Sequence, residues 1–304
     1  MIRIARCLGP LSLVLALATP ALAAPPGFAF LEIPVGARAS AMGGALTTVS
    51  NGAEAMFSNP GAIAPSRGLE VGAGHSELIQ KLRHDWFSVA GHAWGGGLGA
   101  SFRALYSEPI EERDDVGNLI GSFGAQDVEF ALGFSRRGPA GVELGATAQV
   151  VRERIANLAA TTFAMGFGAN WRPDGDRWRV GLAVQNVGPG AHYTVGEVAG
   201  ETIGLPTAVQ GGVSYALPMG DRVHVVGAVE SRVTQGREAV GIAGVELADI
   251  SGAALRAGYR YNDDASDFSA GAGYAAGRLR LDYAWIPFSL DLGDTHRFQL
   301  TATF

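Results

Sequence analysis

The sequence predicts an all-β protein, a 14-stranded antiparallel transmembrane β-barrel preceded by an N-terminal plug segment. Three observations carry this. Runs of about ten residues with alternating character recur from Ser66 to the C-terminus, and fourteen can be counted. Connections on one side of the implied sheet are all short, while the other side carries the long ones, 107–125, 188–204 and 287–294, beside short ones near 155–157 and 233–236, which is the asymmetry of outer-membrane barrels. Charged residues make up 17% of the chain, where about 25% is usual for a soluble domain. Beyond the N-terminus no apolar run reaches 18 residues, so no helical span is available there.

Residues 1–23 read as a secretory leader. Arg3 and Arg6 make a positive start, Leu8 to Ala18 an apolar run, and Ala21-Leu22-Ala23 a small-residue cleavage site, so cleavage is expected before Ala24. The one cysteine, Cys7, lies inside this leader and precedes the apolar run, the wrong order for a lipid anchor. A mature chain without a thiol fits export without a disulfide framework. Loss of Arg3 and Arg6 takes the formal charge from −6 to about −8. That argues against a nucleic-acid partner.

Residues 24–65 do not alternate. Gly36, Gly43, Gly44 and Gly52 punctuate a stretch of small residues. Glu54 to Phe57 suit a short helical turn capped by Asn51 and ended by Asn59-Pro60-Gly61. Phe28, Phe30, Leu31, Ile33, Met42 and Phe57 need burial, and a barrel lumen offers it.

The strands are expected at about 67–75, 83–92, 97–106, 126–136, 142–154, 158–172, 176–187, 205–216, 221–232, 237–247, 252–261, 267–276, 278–287 and 295–304. Successive strand side chains point to opposite faces, so parity assigns them. Leu98, Ala100, Phe102, Ala104 and Tyr106 oppose Gly99, Ser101 and Arg103; Val128, Phe130, Leu132 and Phe134 oppose Glu129, Gly133 and Ser135. Trp178, Val180, Leu182 and Val184 oppose Arg179, Gly181 and Gln185; Leu279, Leu281, Tyr283 and Trp285 oppose Arg280 and Asp282. In 83–92 the pattern is ambiguous, with Trp86 and Phe87 on opposite faces. The last run sets Phe298, Leu300, Ala302 and Phe304 against Arg297, Gln299, Thr301 and Thr303. Over those ten residues alone a sandwich edge strand would read the same. In lipid an unpaired backbone group costs several kcal/mol, roughly, so the last strand must close on the first. Trp86, Trp94, Trp171, Trp178, Tyr259, Tyr261, Tyr283 and Trp285 are expected to form interfacial girdles.

The run F-L-E-I-P-V-G-A-R-A-S-A-M-G-G-A, followed by A-M-F-S-N-P-G-A-I-A, resembles the opening of the PorV/PorQ family, whose fold is similar to the FadL long-chain fatty acid transporters. L-A-V-Q-N-V-G-P-G at 182–190 and L-P-T-A-V-Q-G-G-V-S-Y at 205–215 are similar to that family's mid-barrel pattern. The resemblance implies a plug whose motif is Gly36, Arg38, Met42, Gly43, Gly44, Asn59 and Pro60. The family has Asn-Pro-Ala where this chain has Asn59-Pro60-Gly61, a change expected to be sterically mild. It also makes the terminal Phe304 a signal read by the barrel-assembly machinery. The function implied is non-catalytic: a type IX secretion component or cargo shuttle. A FadL-like channel for hydrophobic small molecules such as fatty acids, and a structural barrel without transport, are the alternatives. Partners would be outer-membrane lipid, the assembly machinery, and secreted cargo or a hydrophobic ligand.

Nothing points to an enzyme. His75, His84, His92, His192, His224 and His296 show no metal-ligand spacing. Gly74-His75-Ser76 places a hydroxyl beside an imidazole, but neighbours on a strand point apart. Neither G-x-S-x-G nor H-E-x-x-H occurs. Gly95-Gly96-Gly97 lacks the strand–loop–helix context of a phosphate cradle. No cofactor and no metal are expected. What remains is lumen chemistry. Arg256, Arg260, Arg280 and Asp282 share the inward parity, with Ser269, Gly271 and Gly273 leaving room between them. They read as a polar cluster that is self-paired or clamps the plug. Arg38 is expected to meet an inward acid, Glu129, Glu143 or Asp282. The acidic stretch 111–118 reads as a solvated loop tip.

Overall fold

The computed structural model describes residues 27–65, 68–175, 177–195, 198–289 and 293–304. The leader and its cleavage point lie outside these residues. In chain order the strands are β1 (Leu69–Glu77), β2 (Leu82–Ala93), β3 (Gly96–Ser107), β4 (Ile110–Arg113), β5 (Leu119–Phe123), β6 (Ala125–Arg137), β7 (Glu143–Ile155), β8 (Leu158–Trp171) and β9 (Trp178–Val187). There follow β10 (Ala191–Val195), β11 (Val198–Ile203), β12 (Ala208–Met219), β13 (Val223–Thr234), β14 (Val240–Asp249), β15 (Ala253–Tyr261), β16 (Phe268–Ala276), β17 (Leu279–Pro287) and β18 (Asp294–Thr303).

Fourteen of them close a barrel in which every neighbour is antiparallel, and β1 pairs β18 from Glu70↔Thr303 to Glu77↔His296. Phe304 completes the seam: its N–H donates to the Leu69 carbonyl at 2.8 Å and its carbonyl accepts from the Leu69 N–H at 3.2 Å. Every expected strand is present to within a few residues. Two further hairpins, β4–β5 and β10–β11, were not expected. They lie in the long connections 107–125 and 187–208, both at one end of the barrel, while the opposite end carries the tight turns at 93–96, 219–223 and 276–279.

Parity holds around the wall. On β18 Thr295, Arg297, Gln299 and Thr301 are buried, while Phe298 and Leu300 are about half exposed. On β6 Glu129, Ala131 and Ser135 are buried against exposed Phe130, Leu132 and Phe134. The outside is thus an apolar belt and the inside is polar, the reverse of a soluble barrel and what a hydrocarbon surround requires. Trp171, Trp178, Tyr259 and Tyr261 are exposed on the outside, as expected of girdle residues. Trp86 is not among them. It is 4% exposed and turned into the lumen, edge-on to Phe57 at 5.6 Å, while its neighbour Phe87 faces out.

Residues 27–65 occupy the interior of the closed wall. They form short helical pieces: turns at Ala29–Glu32, Gly52–Phe57 and Pro60–Ala62, and helices α1 (Ala37–Ala41) and α2 (Leu46–Val49). α1 packs on β15 to β18, α2 on β9, β12 and β13, the 52–57 turn on β1, β2, β3 and β6, and the 60–62 turn on β6 to β8. Contact with so many strands facing one another is possible only from inside the cylinder. Wall glycines let backbone meet backbone there. A Cβ on Gly258 would collide with the Gly43 amide nitrogen, and one on Gly244 would lie 2.5 Å from the Met42 carbonyl. The expected Asn51 cap is absent, and the Ala53 N–H at that turn is instead taken by the Glu70 carboxylate on β1 at 2.9 Å.

Candidate functional site

The residues that line the lumen fall into a continuous layer of ion pairs and a more open mouth. In the paired layer, α1 presents Arg38 toward β14. Its guanidinium forks onto Glu246, Nε to Oε2 at 2.8 Å and Nη2 to Oε1 at 2.7 Å, and its Nη1 donates to the Val49 carbonyl at 3.0 Å. The expected partners are otherwise engaged: Glu129 by Arg103, Glu143 by Arg172, Asp282 by Arg256 and Arg280. Parity alone admits any inward acid. The packing of α1 on β15 to β18 brings Arg38 to Glu246 on the neighbouring β14.

Arg256 lies directly across β14–β15 from Glu246 and donates Nε to its Oε2 at 2.6 Å, while its Nη1 approaches Asp282 at 2.8 Å. Arg280 donates Nε to Asp282 at 2.7 Å and continues to Glu54 of the leading segment. Gln299 spans from Glu54 to the Ala37 N–H, which it accepts at 2.7 Å just after Gly36 opens α1 at φ 95°. So Arg38, Arg256 and Arg280 alternate with Glu246, Asp282 and Glu54 in one chain of net charge zero. Of the expected cluster, Arg256, Arg280 and Asp282 belong to it. Arg260 does not: its Nε donates to the Gly43 carbonyl at 2.9 Å and its Nη1 to Asp263 at 2.7 Å, nearer the mouth.

The other motif residues make close contacts with the wall. Met42 is fully buried among Ala45, Val49, Ala228 and Ile242. The Gly43 N–H donates to Ser269 Oγ at 3.0 Å, and the Gly44 carbonyl accepts from Gln210 at 3.0 Å. Asn59 is fully buried, donates to the Thr47 and Ala169 carbonyls at 3.0 Å each, and accepts from the Gly61 N–H at 3.1 Å. Pro60 starts that turn. A Cβ on Gly61 would sit 2.7 Å from the Glu143 carbonyl and 3.0 Å from the Gly168 carbonyl. Glycine for alanine is therefore not a mild change. It lets this turn press directly on β7 and β8.

Two strong contacts escaped the sequence reading. Glu230 on β13 receives the backbone N–H groups of Thr47 and Thr48 at 3.1 and 2.8 Å, both threonine hydroxyls, and Gln210 at 2.7 Å. Arg103 pairs Glu129, lies 5.5 Å from the Phe30 ring centroid, and reaches the Leu31 carbonyl. Their inward parity was legible, but their partners on a segment without periodicity were not.

The mouth is different. A cavity of about 610 Å³ opens among the long-loop ends of β1–β2, β13–β14, β15–β16 and β17–β18, floored by Pro34, Ser40, Gly43 and Gly44. The turn Ala29–Glu32 stands at its edge, with Glu32 and Ile33 toward the cavity. On the other side of that turn Phe28, Phe30 and Leu31 pack with Val151, Ala160, Ala164, Ala191 and Leu205. This apolar cluster lies behind the place where the β8–β9 ladder ends and β10 packs on β8 instead. The ladder between β8 and β9 stops at Met165↔Val187, after a register shift beside Asn186 at φ 58°. Above it, among the described residues, 158–164 of β8 pair β7 on one side and no barrel strand on the other. Gly188–Ala191 lean over this edge, with the Thr162 hydroxyl donating to the Pro189 carbonyl at 2.8 Å.

Comparison with known proteins agrees with this architecture. The barrel is similar to FadL-like outer-membrane channels. The CymD monoaromatic hydrocarbon channel aligns at a TM-score of 0.63 and 13% identity, over 90% of this chain and 98% of that one. The P. putida toluene transporter TodX aligns at 0.59 and 14%, over 88% and 96%. A Pseudomonas aeruginosa FadL homologue aligns at 0.50 and 13%, over 88% and 97%. The model of an uncharacterised protein family, UPF0164, matches residues 21–167. No curated protein matches. These structural neighbours are transport channels, not enzymes.

Proposed function

We propose that this barrel is an outer-membrane channel for small hydrophobic molecules, exported by its N-terminal leader, with residues 24–65 as its plug. A molecule enters the mouth cavity, passes the turn Ala29–Glu32 when that turn shifts, and leaves sideways into the membrane between β8 and β9. The observation that carries this is the break above Met165↔Val187, backed by the Phe28, Phe30 and Leu31 cluster. An apolar solute has no reason to cross a polar lumen where the edge of β8 above Met165 is covered by residues 188–191 and β10, which can swing aside toward lipid, instead of by a barrel strand. The layer of Arg38, Arg256 and Arg280 with their acids anchors the rest of the plug. The gate is then confined to residues before Val35. The structural neighbours described as hydrocarbon and toluene channels fit this reading.

The test uses the thiol-free mature chain. A disulfide joining Leu31→Cys to Val151→Cys, which share the buried cluster, locks the turn to the wall. Toluene uptake into cells carrying the locked barrel should fall to the level of cells without it and return on reduction. Equal uptake in the locked and reduced states would end the proposal.

The secretion role implied by the opening motif is the second reading. It predicts that the barrel, extracted in detergent, carries cargo with a shared C-terminal domain, and that toluene uptake is indifferent to it.

A further inference from the structure

Glu246, Asp282, Glu54 and Glu129 each answer an arginine. Glu153, which shares the inward parity of Gln149 and Val151 on β7, answers none among the described residues. Its register partner across β6–β7 is Asp127, a second acid, and like charges directly opposite repel. Its two oxygens are taken instead by donors from two separate parts of the molecule. Oε2 accepts from the Phe28 N–H at 2.7 Å, at the head of the turn Ala29–Glu32. Oε1 accepts from the Tyr193 hydroxyl on β10. These are the two parts that the channel reading sets in motion: the turn behind the wall, and the stretch 188–193 that covers the edge of β8.

Both donors are placed to let go. Phe28 sits at φ 55° and ψ 38°, a left-handed conformation that a bulky side chain rarely adopts. Such a residue stays there only while its surroundings hold it, so loss of the Glu153 contact favours movement of the turn. Tyr193 is tied to the barrel sheet by no ladder, since β10 pairs only with β11. Hydrogen bonds to a carboxylate are stronger than neutral ones, and Tyr193 packs against the apolar cluster of Phe28, Phe30 and Leu31, where water competes little. We propose that Glu153 is the positioning residue that couples the gate to its cover, so that the turn Ala29–Glu32 and the stretch 188–193 are fastened by one carboxylate and open together. This rests on the channel reading and adds its regulation: the sideways exit is free only when both donors have left Glu153.

The experiment places single thiols in the full, otherwise thiol-free mature barrel and measures their labelling by N-ethylmaleimide in detergent, relative to the same thiols in the urea-unfolded chain. Leu31→Cys reports the turn and Ala191→Cys the cover, both 5% exposed; Val49→Cys on α2, 3% exposed, reports the anchored part of the plug. Protection at residues 31 and 191 should agree within about two-fold. Glu153→Ala should speed labelling at both by about ten-fold, the scale of one hydrogen bond to a charged group, and leave residue 49 unchanged. Tyr193→Phe should speed labelling at residue 191 about ten-fold and at residue 31 less than about two-fold, because the turn keeps its own bond to Glu153. If Glu153→Ala fails to fold, Tyr193→Phe decides alone, since it deletes one hydroxyl. Labelling unchanged at residues 31 and 191, or raised equally at all three positions, overturns the inference. The first result means that apolar packing alone holds the parts together, the second that the whole barrel has loosened. Toluene uptake that responds to the Leu31–Val151 disulfide while this labelling pattern fails removes the inference and leaves the channel reading standing. The labelling pattern with uptake indifferent to that disulfide does the reverse.

Discussion

Two cationic regions of the lumen, a few strands apart, are built in opposite ways. In the layer around α1 the three arginines 38, 256 and 280 alternate with Glu246, Asp282 and Glu54, and each carboxylate touches more than one donor. At the mouth Arg232 and Arg297 are as deeply buried, and neither forks onto an acid; Glu32, which lines the same cavity, stands near Arg232 but pairs with Arg237 at 2.9 Å. The pairing across the first region joins leading segment to wall at both ends of the chain of charges, Arg38 and Glu54. It fastens. The second region fastens less: Arg297 donates to the Pro34 carbonyl and to Ser40 Oγ of the leading segment, while Arg232 hydrogen-bonds only within its own strand. Buried charge is tied down by acids in one place and by neutral acceptors in the other.

Substitutions can break or sharpen this contrast. The largest effect is expected for Glu246→Ala, which leaves Arg38 without an acid and Arg256 with Asp282 alone, at a cost of roughly 3–5 kcal/mol, the range for breaking a buried ion pair. It should be read from the urea midpoint of the detergent-folded barrel. Next comes Gly61→Ala, whose methyl must push apart the backbone of β7 and β8. Overpacking of this kind costs about 1–3 kcal/mol, visible as a lower unfolding temperature. Asn59→Ala removes the donor to the Thr47 and Ala169 carbonyls, and the unsatisfied acceptors should cost about 1–3 kcal/mol. The smallest effect is expected for Arg232→Met, which removes a buried guanidinium whose one hydrogen bond is a long contact within its own strand. Its change should lie within about 1 kcal/mol and can be stabilising, as replacing buried charges by apolar side chains often is. If Arg232→Met destabilised the barrel as much as Glu246→Ala does, the contrast between the two regions would collapse.

The leading segment and the wall also differ in how far they could be read. The strands of the wall were legible nearly to the residue, because parity repeats every two residues and each strand is bounded by its turns. Even the Trp86–Phe87 ambiguity had one resolution open to it, a lumenal aromatic, which Phe57 supplies. The hairpins β4–β5 and β10–β11 were missed because both lie in loops whose sequence shows no buried face. In the segment the small and apolar residues announced burial, yet Arg38 could not be assigned its acid, nor Gly61 its contact, from spacing alone.

By itself, then, the sequence determined a closed wall with an apolar exterior, a polar interior and something held inside it. Alternation along a strand is local information, and closure follows from the cost of an open edge in lipid. Only the tertiary structure decided which charges meet. Arg38 and Glu246, Glu54 and Arg280, and Thr48 and Glu230 are separated by 208, 226 and 182 residues in the chain. Their pairing depends on which strands the short helices settle against. The break between β8 and β9 was likewise invisible, since it arises from a register shift between two strands that each look continuous.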